Sequence, residues 1–460
     1  MPDFREPILC SPPHRCPSLS TRLKGSMQAP AFSSLGPSVA LFVRLSTPDK
    51  VGHPMISFKH LCTMAVLLGA LSISIDSQAS SPRPADAFVH PGLLQTQTDF
   101  TRIREKLANQ NAPWLAGWQK LIANPHASLA WQADPLPVVY RTSDGLNNDS
   151  TLFNDAAAAY ALALRWQISQ DPAYADKAVG ILNQWSYTLT AIKGEPDKSL
   201  AAGLAGYQLA NAAELLRSYP KWQATDFHRF QGMLLSVFYP INHDFLLHHD
   251  GSPPDRHGAR WDLANMNSIL AIGVLTDRRD LYNEAVDYFK HGSGNGAIEH
   301  AVWKLHGNGL GQVQESGRDQ AYALLDIALL GSFCQMAWSQ GDDLFGYQNN
   351  RVLQGAEYVA QYNLGQDVPF TPLLDRRFKQ SVVSPNHRGE IRPIWELLYN
   401  HYVVRKSLSA PNVKAMANKA QVEGGGGDYG RDSGGYEQLG YGTLLYSLGE
   451  YGVSDAELVP

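Results

Sequence analysis

The residues best suited to chemistry lie in Gln314-Glu-Ser-Gly-Arg-Asp-Gln-Ala-Tyr322, which gathers four titratable side chains and two amides at the start of an apolar run. Read as helix, the stretch sets Gln314, Arg318 and Tyr322 four apart on one face. A guanidinium pairs with a carboxylate through two parallel hydrogen bonds, and a phenol can give or take a proton. Arg318 and Tyr322 together therefore suit an acidic sugar. The same spacing also fits a helix-start capping cluster with a surface Arg–Asp pair, and pattern alone weighs the two evenly.

A second stretch, Arg256-His-Gly-Ala-Arg-Trp-Asp-Leu-Ala-Asn-Met-Asn267, places His257, Arg260, Trp261, Asn265 and Asn267 at or inside another helix start. Asn265 and Asn267 are two apart and cannot face one partner. A histidine beside a helix start more often caps or packs than catalyses. His243, His248, His249 and Asp250 lack a His-Glu-x-x-His arrangement or a cysteine pair, so they read as a solvated loop rather than a metal centre. Gly292-Ser-Gly-Asn-Gly296 follows a helical pattern and reads as a helix stop, not a dinucleotide loop. Asp432-Ser-Gly-Gly435 echoes a serine-protease string, but that chemistry needs β-barrels, and a glycine-rich loop explains the residues.

The elements that must position these residues are helices. Apolar residues recur at three- and four-residue spacing near 98–110, 113–124, 152–170, 174–192, 203–218, 226–247, 261–275, 279–290, 317–340, 349–361 and 393–407. Alternating strand-like runs are scarce. The expected fold is all-α, an incomplete toroid of antiparallel α/α hairpins with the site in its funnel. Residues 85–460 form its single domain, with a glycine-rich segment at 424–435 before a closing helix at 436–448.

Hydrophobic residues make up 44% and charged residues 18% of the 460 positions, the balance of a globular chain. The net charge of −5 and the short basic cluster at Arg376, Arg377 and Lys379 argue against a nucleic-acid partner. Lys59 and His60, an apolar run from Met64 to Ile75, and Ser77-Gln-Ala79 read as a secretory signal over 55–79, with Met55 as its start and 1–54 as an over-extended beginning. Its cleavage leaves Cys334 alone, without an intrachain disulfide. A soluble, monomeric product, secreted or periplasmic, is expected, with no membrane contact after cleavage. Many of the ten tryptophans and twenty tyrosines are expected in the core, though aromatic planes also suit sugar rings.

At the two polar stretches the chain resembles the alginate-lyase-like polysaccharide lyases. Similar blocks appear in order: Trp261-Asp-Leu-Ala-Asn-Met266, Gln314-Glu-Ser-Gly-Arg-Asp-Gln320, Gly341-Asp-Asp-Leu-Phe-Gly-Tyr347, Asn350-Arg351, Glu357-Tyr-Val-Ala-Gln-Tyr-Asn-Leu-Gly365 and Arg392-Pro-Ile-Trp-Glu396. The resemblance covers about 88 to 448 and implies an incomplete α/α toroid that depolymerises alginate or glucuronan. It maps the family arginine onto Arg318 and the Gln-Glu pair onto Gln314 and Glu315. Tyr322 stands where relatives usually place histidine, Arg260 where they usually place asparagine, and His257 resembles a histidine upstream of the Trp-Asp block.

The implied reaction removes the C5 proton beside a uronate carboxylate and expels the C4 substituent, leaving a 4,5-unsaturated end. Arg318, with Asn267, Arg260 or His257, would neutralise the carboxylate. Tyr322 or His257 would take the proton, while Gln314, Glu315, Trp261 and Gln320 would bind substrate. The chemistry requires no metal or organic cofactor. Two rivals remain: a glycoside hydrolase on a similar toroid using Asp262 and Glu315 as opposed carboxylates, and a catalytically inactive secreted glycan-binding protein.

Overall fold

The structure, a computed structural model, describes residues 87–142, 145–374, 379–426 and 437–449. The leader at 1–79, the Arg376-Arg377 cluster and the Asp432-Ser-Gly-Gly435 string lie outside the described residues.

The chain opens with helices α1 (Gln97–Ala108) and α2 (Trp114–Ala123). Helical hairpins follow. The first pairs α3 (Asp149–Ser169) with α4 (Pro172–Thr188), and the second joins α5 (Lys198–Leu216) to α6 (Ala224–Met233) and α7 (Tyr239–His248). The third pairs α8 (Ala259–Leu275) with α9 (Arg279–His291). A short α10 (Ile298–Ala301) leads to α11 (Gln320–Gln340) and α12 (Tyr347–Asn363). The end is built from α13 (Trp395–Tyr399), α14 (Pro411–Ala420) and α15 (Gly442–Tyr446). Helix starts obey local rules: the Asp171 carboxylate accepts from the Ala173 amide at 2.9 Å, and Pro172 fills the first helical position of α4.

Sequence polarity sorts the helices into two layers. Every residue of α8 and all of α5 except Lys198 are buried, so both are inner helices enclosed on all sides. By contrast α9 buries Leu281, Tyr282, Ala285 and Phe289 on one face and turns the rest outward. Packing runs α3 to α5, α5 to α8, α8 to α11, while α15 packs on α1 and α2 and α1 on α3. This is the expected helical toroid. Gly203 lets α5 meet α8 closely, because a methyl group there would overlap the Ala264 backbone. Helix α11 is long and apolar enough to cross a membrane by composition, yet 83% of that stretch is buried within the ring, as in a core helix.

Strands are few and short among the described residues. β1 (Val138–Tyr140) pairs in parallel with β2 (Ala191–Lys193). The antiparallel hairpin of β3 (Val302–Leu305) and β4 (Gly311–Val313), with Val302 opposite Val313, packs on α12. A smaller hairpin joins β5 (Leu373–Leu374) and β6 (Lys379–Gln380).

Some expectations are corrected. The closing helix predicted at 436–448 is only Gly442–Tyr446, since the left-handed Tyr441 and Gly440 before it do not continue a helix. The supposed solvated loop at 243–250 is α7 followed by a left-handed turn at His249 and Asp250, with His249 buried. Several family-like blocks act as structural ties. Glu357 accepts the Val413 amide at 2.8 Å at the start of α14, and buried Arg392 holds Glu437 at 2.9 Å.

Candidate active site

The stretch expected as one helix face is a turn followed by a helix. Residues 314–319 leave the β3–β4 hairpin, with the Gln314 amide still bonded to the Ala301 carbonyl at 2.9 Å, and α11 begins only at Gln320. Asp319 caps α11 by accepting from the Ala321 amide at 2.8 Å, so Gln314 and Arg318 precede the helix. Two features fix the turn from the opposite side. The Gly317 amide donates to Gln380 Oε1 at 3.0 Å, and the Gln320 amide nitrogen Nε2 donates to the Ser316 and Ser384 carbonyls at 3.0 and 3.1 Å.

The turn brings Arg318 beside Tyr322 by another route. The Arg318 guanidinium lies 4.8 Å from the Tyr322 ring centroid, and the Arg260 guanidinium lies 3.9 Å from it. Both cations also pair with Glu315: Arg260 in a tight ion pair and Arg318 at 3.3 Å. Arg260, Arg318, Glu315 and Tyr322 are thus one cluster drawn from the starts of α8 and α11. Glu315 is fully buried, Arg260 nearly so, and the Arg318 side chain keeps 21% of its surface exposed. Arg318 is the member with a cationic face toward solvent.

Gly258, the residue before α8, makes this geometry possible, because a methyl group there would overlap the Glu315 carboxyl. Gln314 Oε1 accepts from the Ala259 amide at 3.1 Å and so ties the turn to the first residue of α8. Two inner helices therefore begin side by side, and their amino-terminal dipoles add positive potential to that of the arginines. Burial disfavours the Arg260 charge, but Glu315 outweighs it and lifts its pKa above the ordinary arginine value.

Asp326, one turn beyond Tyr322 on α11, is fully buried against this cluster. Burial first, and the neighbouring Glu315 second, push its carboxyl well above the usual carboxylate range, with Arg260 and Arg318 opposing. The sequence signal was available: an acid in the apolar run Ala323-Leu-Leu-Asp-Ile-Ala-Leu-Leu330. A second residue not singled out is His387. It sits in a left-handed turn, and its Nδ1 lies 2.9 Å from both Asp319 oxygens, beside Arg318.

The remaining expected residues have other surroundings. His257 Nε2 donates to the His249 carbonyl at 3.3 Å, and its ring packs on Phe245 and Trp261 at 5.2 and 4.8 Å. Trp261 is buried in that aromatic group instead of forming an open stacking platform. Asn267 is buried in the inner layer, where it donates to the Leu263 and Leu329 carbonyls at 2.8 and 3.0 Å and so ties α8 to α11. Asn265 faces the other way, toward Asn242 on α7 at 2.7 Å, as the two-residue spacing requires. Gln314 and Gln320 are occupied in holding the turn, Gln320 Oε1 also accepting from Asn363 at 3.0 Å. Their engagement with backbone and side chains makes Gln314, Gln320, Trp261 and Asn267 part of the frame.

The carboxylate pair required by a hydrolase is not available in suitable form. Asp262 is fully buried, its Oδ1 held by His249 Nε2 and the Tyr288 hydroxyl, both at 2.9 Å, and its Oδ2 by the Gly296 amide at 3.0 Å. Glu315 is committed to two arginines. Two more histidines of the 243–250 segment pair with separate carboxylates, His243 with Glu284 at 2.7 Å and His248 with Asp244 at 2.8 Å.

The helical toroid is the fold of a polysaccharide lyase, and the paired guanidiniums gathered on a phenol lie within it. The chain belongs to the alginate lyase family, whose model matches residues 104–368. Among solved structures it is similar to alginate lyase A1-III from Sphingomonas species A1, at 14% identity and a TM-score of 0.50, covering 80% of this chain and 100% of that one. A histidine-to-alanine variant of alginate lyase A1-III, complexed with tetrasaccharide, matches at 13% identity and a TM-score of 0.52 over 80% of this chain and all of that chain. An alginate lyase from Bacteroides ovatus matches at 13% identity and 0.51, over 78% of this chain and all of the other. A comparison with curated protein sequences gave no match.

Proposed function

We propose that this protein is an exported lyase that cuts a uronate polymer of the alginate or glucuronan type by β-elimination, leaving 4,5-unsaturated ends. The observation that carries the reading is the convergence of Arg260 and Arg318 on the Tyr322 ring, at 3.9 and 4.8 Å. The C5 proton of a uronate is very weakly acidic until its carboxylate charge is neutralised. Arg318, exposed on one side, takes that carboxylate, and Arg260 supplies a fixed second cation behind it. Tyr322, lying against both guanidiniums, removes the C5 proton and returns one to the departing C4 oxygen.

The hydrolytic alternative is disfavoured by the enclosure of Asp262 among His249, Tyr288 and Gly296. Export rests on the signal-like order at 55–79, which would deliver a soluble protein outside the cytoplasm, and we propose that it acts there as a monomer. The test is incubation of the mature chain with mannuronate-rich and guluronate-rich alginate, glucuronan and hyaluronan while following the ultraviolet absorbance of the new double bond. A rise with one of the first three supports the proposal. Binding without chain shortening would instead identify an inactive glycan-binding protein.

A further inference from the structure

We propose that Asp326 is a positioning residue that shares a single proton with Glu315, so that the Arg260–Arg318 pair meets its substrate with a net charge of plus one. The inference deepens the lyase reading and rests on it for the identity of the substrate. The proton itself does not depend on that reading.

The geometry begins with two buried acids in contact. Asp326 and Glu315 have no exposed surface, and their carboxyls face each other within hydrogen-bonding reach. Among the described residues no protein N–H or O–H reaches either oxygen of Asp326 or Oε2 of Glu315. Two carboxylates in that position would present only acceptors to one another in a low-dielectric site, an unfavourable arrangement. One proton between them turns the clash into a charge-assisted O–H···O⁻ bond. The groups facing Asp326 are Glu315 in the turn, Arg260 from α8 and Arg318 before α11.

Charge counting then assigns a role. With both acids ionised, two arginines and two carboxylates would cancel, and an anionic sugar would meet a neutral cluster. One shared proton leaves two positive charges against one negative charge, and the surplus faces solvent through Arg318, the only one of the four with appreciable exposure. The bond also fixes the Glu315 carboxyl that holds both guanidiniums beside Tyr322. Asp326 therefore acts through Glu315 on the part of the site that selects a carboxylate-bearing ring.

The experiment compares infrared difference spectra of the full protein near neutral pH with those of Asp326→Asn. The expected result is a protonated-carboxyl band in the wild type that the variant loses; any band from Glu423, whose carboxyl burial also pushes up, is common to both proteins and cancels in the subtraction. Glu315→Gln should lose the same band, because Asp326 then ionises beside the two arginines. The second readout is the salt dependence of KM for an anionic oligosaccharide, which reports site charge. Asp326→Asn should keep the wild-type slope. No band difference, together with a steeper slope and a KM lowered several-fold in Asp326→Asn, would show an ionised Asp326 and overturn the proposal. A band difference in a protein that makes no unsaturated product would leave the proton standing and remove the lyase reading instead. Asp326→Asn is nearly isosteric, and a melting curve confirms that it folds.

Discussion

The Arg260 guanidinium lies 3.9 Å from the Tyr322 ring centroid, although the two residues belong to different inner helices. The contact joins the beginnings of α8 and α11 and places a nearly buried cation behind the phenol. Arg318 completes the arrangement from the exposed side.

Arg318 is expected to matter to turnover far more than to folding. Its side chain is 21% exposed and its pair with Glu315 is duplicated by Arg260, so Arg318→Ala should cost about 1 kcal/mol or less in stability. Loss of the carboxylate partner should lower kcat by about 100-fold or more. Steady-state kinetics and a denaturant melt on the same sample check both, and wild-type turnover would remove Arg318 from the mechanism.

Arg260 should behave in the opposite way in a stability assay. Removing it leaves Glu315 buried beside Asp326 with only the longer Arg318 pair, and an uncompensated buried charge costs about 3–5 kcal/mol. The Arg260→Ala, Glu315→Gln double variant should regain much of that loss. A double variant no more stable than Arg260→Ala would mean that charge is not what the single change disturbs.

Gly258→Ala is a small change at a crowded place. The added methyl would overlap the Glu315 carboxyl and push it off both arginines. We expect a cost of about 1–3 kcal/mol together with a drop in kcat, read by thermal melting and initial rates. An active, equally stable variant would show that Glu315 has room to move.

Much of this was legible in the sequence, and the limits have physical causes. The eleven helical segments follow from apolar content and spacing, because the inner helices are long, mostly apolar runs and the outer ones are amphipathic. The missing piece was the turn at 314–319. Its polar residues also satisfy a helical pattern, and only tertiary bonds from Gln380, Ser384 and the Ala301 carbonyl decide against a helix there. Arg318 and Tyr322 were paired on a helix-face argument that does not hold, and they meet because the turn folds Arg318 back over α11. Asn267 was read as chemistry because polarity inside an apolar helix suggests it, yet its amide is used to bind two carbonyls. Asp326 shows the converse: an acid in an apolar run stands out in the sequence, but its neighbours Glu315 and Arg260 come from outside its own helix.

The closing segment offers a pH test away from the site. Burial first, and Glu396 second, hold the Glu423 carboxyl well above its ordinary value of 4.5. A raised carboxyl keeps in the native state a proton that the unfolded chain releases. Its contribution is thus fully favourable below about 4.5 and is lost as pH rises toward the native value. Glu423→Gln keeps an acceptor for the Trp395 amide, bonded at 2.8 Å, and removes the ionisation. Its melting temperature should exceed the wild type by a margin that widens from about pH 5 to about pH 8. A constant margin would contradict the shift.

Elimination and hydrolysis differ in whether water enters the product. Digestion of the responsive polymer, followed by mass spectrometry of the new non-reducing ends, tests the central claim directly, with Tyr322→Phe run beside the wild type. The account predicts wild-type products whose new non-reducing ends are one water lighter than hydrolytic ends, formed at least about 100-fold more slowly by Tyr322→Phe. Saturated ends carrying the added water, or a Tyr322→Phe enzyme as fast as the wild type, would contradict it.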